Sequence, residues 1–320
     1  MRPLVKSRPE SGRMTTKLRN AIAPTVLLRP MLLSKYLGVS LTLAVETFQH
    51  TGSFKFRAAY NLARSVPNAT ILAASSGNFG QAIAYACKLL NKACIVVMPM
   101  TSATVKVESV RSHGATVDLI DTARISREAR LKQLTSEHSD AYVTNAYDDE
   151  HIIEGNATLG AELAPEGANC DCFLVPVGGG GLISGIARGL RKAGQQTDIV
   201  GAEPELANDA ARSLRAGFVV RNESEPATIA DGARTISVGK ANWPIIQREV
   251  KDIVEVSEQN IVEAVRLLFR FANVKSEPTG ALSVGALLEQ PSRFQGRRIC
   301  CVISGGNVDS SLYTKLISGC

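Results

Sequence analysis

The chain alternates short, solidly apolar runs with longer stretches in which apolar residues recur every three or four positions. The short runs are Ile71-Leu72-Ala73-Ala74, Cys94-Ile95-Val96-Val97-Met98, Thr116-Val117-Asp118-Leu119-Ile120, Cys172-Phe173-Leu174-Val175-Pro176-Val177, Asp198-Ile199-Val200-Gly201-Ala202 and Ile299-Cys300-Cys301-Val302-Ile303. Their length and β-branched content predict strands buried on both faces. Helices are predicted over Phe79 to Leu90, Thr104 to His113, Ala123 to Ser136, Leu182 to Ala193, Glu258 to Asn273 and Gly280 to Leu288. Strand and helix in alternation predict a mainly parallel sheet and an α/β fold. The Asp- and Asn-rich segment from Tyr142 to Glu154 interrupts the rhythm and is expected to carry the chain between two lobes. Internal repeats and low-complexity segments are absent.

Composition narrows the classes. With 320 residues, 45% hydrophobic and 21% charged, the chain has ample material for a packed core, which excludes wholesale disorder. No run reaches the ~18 apolar residues of a membrane span, and Met1 to Arg13 is basic without the apolar core of a signal peptide. A cytoplasmic protein is expected, and a membrane is not among its partners. The net charge of +6 owes half its excess to Arg2, Lys6, Arg8 and Arg13 against Glu10, which reads as a solvated tail; Met14 is an alternative start. A nearly balanced remainder with 5% aromatics gives no base-stacking surface, so nucleic acid is not expected either. Seven cysteines, odd in number and without zinc-knuckle spacing, are expected to be reduced and mostly buried.

In parallel sheets a ligand sits outside the carboxyl ends of the strands, so the segments that follow the predicted strands carry the candidate chemistry. Ser75-Ser76-Gly77-Asn78-Phe79-Gly80 opens a helix, which suits a carboxylate at the positive helix end and equally suits plain capping. Gly178-Gly179-Gly180-Gly181 exposes backbone amides that can wrap a phosphate, although glycine turns are also purely structural. It fits neither the dinucleotide nor the Walker signature. Ser304-Gly305-Gly306-Asn307-Val308-Asp309 offers a hydroxyl at a strand end, able to bond a ring heteroatom or merely to cap. Upstream, Thr51-Gly52-Ser53-Phe54-Lys55-Phe56-Arg57 sets one lysine behind a Gly-Ser turn at a helix start. A lysine so placed can carry an aldehyde covalently, although most such lysines are simply solvated.

These four motifs, in this order and spacing, resemble the fold type II pyridoxal phosphate enzymes, and within them the serine racemase and serine/threonine dehydratase family. The similarity extends to Gly201-Ala202-Glu203-Pro204, Thr228-Ile229-Ala230-Asp231-Gly232, Asn242-Trp243-Pro244-Ile245-Ile246 and Glu277-Pro278-Thr279. The resemblance implies a tryptophan synthase beta-like fold of two lobes, each a mainly parallel sheet flanked by helices. Residues 1–69 and 147–320 would form the large cofactor-binding domain and residues 70–146 a small mobile one. It further implies that Lys55 forms the internal aldimine with pyridoxal 5'-phosphate beside Phe54. Gly178, Gly179, Gly180 and Gly181 would hold the phosphate, Asn78 would contact the ring 3-hydroxyl, and Ser304 would pair with the pyridine nitrogen. Ser75, Ser76, Gly77 and Asn78 would hold the carboxylate of an amino-acid substrate.

Two reactions share that site. In dehydration, freed Lys55 removes the α-proton and the β-hydroxyl leaves, giving an aminoacrylate that hydrolyses to a 2-oxo acid and ammonia. In racemisation a second acid/base is needed on the opposite face, and Ser76 matches the residue that supplies it in serine racemases. Dehydration is the favoured reading because it does not require the second donor. Glu203, the Ala207 carbonyl and Asp209 match the family's divalent-cation ligands, with magnesium expected and calcium or manganese as alternatives. A homodimer is the family habit. The chain departs from the family pattern at Phe79, usually histidine, and at Ala58, usually glycine. Around Glu154-Gly155-Asn156-Ala157-Thr158 it also lacks the usual Ala-Gly-Gln-Gly-Thr. Gln133 aligns with the arginine that reaches a dicarboxylate, so hydroxyaspartate loses support as a substrate. No regulatory domain is expected after Cys320.

Overall fold

The computed structural model describes residues 21–102 and 104–318. Among these lie ten strands: β1 (Val26–Leu28), β2 (Ser40–Val45), β3 (Thr70–Ala74), β4 (Ala93–Pro99), β5 (Thr116–Ile120), β6 (Tyr142–Thr144), β7 (Cys172–Pro176), β8 (Asp198–Pro204), β9 (Asp252–Val256) and β10 (Arg298–Ile303). They form a six-stranded sheet in the order β1-β2-β10-β7-β8-β9 and a four-stranded sheet in the order β5-β4-β3-β6. Every pairing is parallel except the edge pair β1 and β2, where Leu27 faces Ala44. The α/β class with two helix-flanked lobes is therefore what the chain adopts.

Burial explains why the apolar runs are legible. In β10, Cys301 and Ile303 point into one core with helices Glu258–Ala272 and Pro278–Glu289, while Cys300 and Val302 point into a second core with helices Glu150–Gly167 and Gly181–Lys192. A strand covered on both faces has no polar alternate position to show. In the smaller sheet, Ile71 and Ala73 pack toward helices Asn78–Leu89 and Thr104–Ser112, and Leu72 packs with Leu134 of helix Arg127–Glu137.

One expectation is corrected. The run Thr116–Ile120 is an edge strand with Leu119 41% exposed, not a strand buried on both faces, because β5 has a neighbour on one side only. The segment from Tyr142 to Glu154 leads from β6 of the smaller sheet into helix Glu150–Gly167, which packs on the larger one and which Asp149 caps by accepting from the His151 amide at 2.7 Å. β1 and β6 are three residues each, too short to register as periodic runs.

Helix Lys55–Ser65 carries the candidate lysine in its first turn and is anchored by Arg57, fully buried. Arg57 pairs with Glu46 at 2.7 Å and with Glu162 at 2.9 Å, and donates to Thr158 and Thr25 at 3.1 and 2.7 Å. A buried guanidinium is tolerable because its fork is filled by carboxylates and hydroxyls. The same helix lies against Glu150–Gly167 so closely that a Cβ on Gly155 would come 2.7 Å from the Cα of Ala58. The close approach of the two helices thus requires glycine at position 155.

Candidate active site

Parallel pairing in the six-stranded sheet puts the turns after β2, β7 and β10 at one edge, and the turn after β3 of the four-stranded sheet meets them there. The Phe54 amide donates to the Ser304 carbonyl at 3.0 Å, and the Gly306 amide to that of Gly52 at 3.0 Å. Ser304 and Ser53 are buried at this seam. The amine of Lys55 donates to the Ala146 carbonyl at 2.9 Å and lies 5.1 Å from the centre of the Phe54 ring and 5.9 Å from that of Phe79. Asn78, at the start of its helix, donates through Nδ2 to Glu277 Oε1 at 2.7 Å and accepts at Oδ1 from Asn307 at 2.8 Å.

The tetraglycine turn lies beside this cluster. Gly180 has φ of +91°, a left-handed conformation that favours glycine. A Cβ on Gly179 would overlap the ring of Tyr147. Asn242 splints the turn by donating to the carbonyls of Tyr147 and Gly179, each at 2.9 Å. The amides of Gly178, Gly179 and Gly180 have no acceptor among the described residues, and they run directly into the N-terminus of helix Gly181–Lys192. Unpaired amides at a positive helix end form an anion cradle.

The profile of the family described as pyridoxal-phosphate dependent enzyme matches residues 18–305. The chain belongs to that family. Among its relatives, the L-threo-3-hydroxyaspartate ammonia-lyase of Pseudomonas sp is 37% identical over 286 residues, covering 88% of this chain and 89% of the relative. The serine racemase of Homo sapiens is 35% identical over 304 residues, covering 91% and 88%. A crystal structure of the serine racemase of Dictyostelium discoideum is similar with a TM-score of 0.84 at 33% identity, covering 92% of this chain and 95% of that one.

For a pyridoxal-phosphate dependent enzyme the residues present fit the cofactor. The cradle of unpaired glycine amides suits its phosphate, the buried Ser304 lies at the seam beside Phe54, and the one lysine of the Lys55 turn reaches into the same space. Of the carboxylate turn, Ser75 is partly committed elsewhere: its oxygen accepts from the amides of Gly80 at 3.1 Å and Gly77 at 3.3 Å. It is the cap that the sequence left open as an alternative. Ser76 makes no hydrogen bond among the described residues. Gln133 is exposed and accepts from Arg130 at 3.1 Å.

Electrostatics prime the lysine. Burial pushes the Lys55 amine down to about 8, against the opposing pull of Glu277. Burial and then the charge of Asp231 push Glu277 up to about 8, while Asn78, Lys106 and Lys55 oppose the rise. Only the neutral amine attacks an aldehyde, so cofactor capture by the apoprotein should accelerate as pH rises through about 8. The Glu277 carboxylate favours the ammonium; Glu277→Gln removes that charge and should move the midpoint to lower pH. Stopped-flow growth of the visible cofactor band, followed against pH, checks the direction.

Glu203 and Asp209 also meet in the fold. Both are buried, and Glu203 accepts from the amides of Ala211 and Ala210 at 2.6 and 3.3 Å. Burial, then the neighbouring Asp209 charge, holds Glu203 well above the usual carboxylate range, and burial lifts Asp209 to about 6. Oδ2 of Asp209 is buried with no partner, and Ala207 lies in the intervening turn. Among the described residues no group of three or more His, Cys, Asp or Glu side chains forms a metal cluster. Six cysteines are free and buried, and Cys320 lies outside the described residues. No described helix is long and apolar enough to cross a membrane.

Glu277, Asn307, Tyr147 and the Ala146 carbonyl are site groups to which sequence reasoning gave no role. Glu277 and Asn307 stand in the stretches Glu277 to Thr279 and Ser304 to Asp309, and Ala146 and Tyr147 in the Asp- and Asn-rich segment, without any local mark of their partners.

Proposed function

We propose that the chain is an ammonia-lyase converting a β-hydroxy amino acid, L-serine or L-threonine, to a 2-oxo acid and ammonia. The reading rests on a single juxtaposition: the Lys55 amine, lowered by burial, shares Glu277 as a neighbour with the helix start at Asn78. The amides of that helix start, with the Ser76 hydroxyl, hold the substrate carboxylate. When bound, the cofactor supplies an electron sink for the α-carbon. Lys55 takes the α-proton and the β-oxygen departs as water; a second water then hydrolyses the imine form of the released enamine, giving the 2-oxo oxygen and freeing the nitrogen as ammonia. Because Gln133 offers no cation, a second carboxylate gains little, yet the name of the Pseudomonas relative puts L-threo-3-hydroxyaspartate in the substrate panel.

Racemisation is the second reading, favoured by the unpartnered Ser76 hydroxyl, which is available to return a proton to the opposite face. Purified enzyme should form 2-oxo acid from at least one of L-serine, L-threonine and L-threo-3-hydroxyaspartate; no oxo acid from any of them would defeat the lyase reading. Ser76→Ala should reduce enantiomer interconversion about 10²-fold more than oxo-acid formation. Equal losses in both would remove Ser76 from any separate acid/base role.

A divalent cation, magnesium first, would be held by Glu203, Asp209 and the Ala207 carbonyl, using the unpartnered Asp209 oxygen. Magnesium added to chelator-treated protein should raise its melting temperature. No rise with magnesium, calcium or manganese would dismiss the site.

A further inference from the structure

The Lys55 turn, the Asn78 turn and the turn after β10 meet at one side chain that the reaction scheme leaves without a role, Asn307. Its Nδ2 donates to the Thr51 carbonyl at 2.7 Å and to Asn78 Oδ1 at 2.8 Å. The approach is tight, since a Cβ on Gly52 would overlap Asn307 Oδ1. A backbone carbonyl can only accept, so the Thr51 bond fixes which end of the Asn307 amide faces the turns. Asn78 must then offer oxygen to Asn307, and its nitrogen is left for Glu277 at 2.7 Å.

Glu277 alone leaves that direction open. An ionised carboxylate accepts from the Asn78 nitrogen, whereas a protonated carboxyl can donate to the Asn78 oxygen. We propose that Asn307 is a positioning residue that keeps Asn78 a hydrogen-bond donor whatever the protonation state of Glu277. The inference rests on the cofactor reading above, in which the remaining N–H of Asn78 serves the ring oxygen.

The safeguard matters because both states of Glu277 are populated near neutral pH, its carboxyl being raised to about 8. The charged groups facing Glu277 come from three elements. Asp231 from the turn Asp231–Ala233 raises it, and Lys106 from helix Thr104–Ser112 and Lys55 from helix Lys55–Ser65 lower it. Lys106 is itself paired with Asp231 at 3.0 Å. Without Asn307 the Asn78 amide is free to reverse as Glu277 titrates, withdrawing the donor at one end of the pH range.

The test uses cofactor-loaded wild type, Asn307→Asp and Asn307→Ala. Aspartate is nearly isosteric but cannot donate when ionised, which guards against a variant that merely fails to fold. Two quantities are read: the visible cofactor spectrum over about pH 6–10, and the dissociation constant for pyridoxal phosphate. Both variants should show a spectral inflection at the Glu277 titration that wild type lacks, and Glu277→Gln in the same background should erase it. Affinity should fall about tenfold, the effect of one hydrogen bond. Variants with the wild-type pH profile and affinity, changed only in melting temperature, would overturn the proposal. A wild type with no lysine-bound cofactor spectrum would overturn the cofactor reading and this inference together, a result distinct from the first.

Discussion

Lys55→Ala is expected to lower lyase activity by roughly 10³-fold or more, because the proposed function gives one side chain both the covalent anchor and the base at the α-carbon. Nothing in the packing predicts a comparable loss of fold. The amine has one hydrogen-bond partner among the described residues, the Ala146 carbonyl, while the adjacent Arg57 cluster that anchors the helix is untouched. The variant should therefore melt near wild type and still bind pyridoxal phosphate through the glycine cradle, without the visible band of a lysine-bound cofactor. Activity within tenfold of wild type would mean that another group removes the proton.

The second large effect is expected at the tetraglycine turn. Gly179→Ala introduces a methyl where the Tyr147 ring already stands. Tyr147 cannot simply withdraw, since its amide donates to Asn145 at 3.1 Å and its carbonyl accepts from Asn242 at 2.9 Å. Overpacking of this kind costs about 1–3 kcal/mol, and displacing the turn disturbs the amides offered to the phosphate. Affinity for pyridoxal phosphate should drop by about tenfold to a hundredfold. Tyr147→Ala in the same chain should recover much of the loss relative to Tyr147→Ala alone, because the steric conflict is pairwise. If the double variant binds the cofactor no better than Gly179→Ala, the conflict lies elsewhere.

What could be read from the sequence, and what could not, follows from distance along the chain. The Lys55 turn, the Asn78 turn, the tetraglycine and Ser304 are each local patterns next to a strand or helix end, and each is legible within a few residues. The bonds that unite them are not. Asn78 meets Glu277 across 199 positions and Asn307 across 229, and Asn307 meets Thr51 across 256. Parallel pairing of β2 with β10 brings Thr51 to Asn307, but Asn78 follows β3 of the other sheet, so its two pairs arise only where the two lobes meet. The same limit hid Tyr147, whose role against Gly179 depends on where the segment after β6 returns to the larger sheet. β9 escaped notice because Asp252 and Glu255 break its apolar run. Local chemistry also had two valid readings at Ser75: its oxygen accepts from the Gly80 amide as a cap would, and its hydroxyl hydrogen stays available to a carboxylate.

The proposed function stands on Lys55 being, among all lysines of the chain, the cofactor's covalent partner. Borohydride reduction of the cofactor-loaded protein, followed by digestion and mass-spectrometric mapping, tests this most directly. A phosphopyridoxyl group is expected on Lys55, in the peptide carrying Phe54 and Phe56, and none in Lys55→Ala. A stoichiometric label on any other lysine, with Lys55 unmodified, would contradict it.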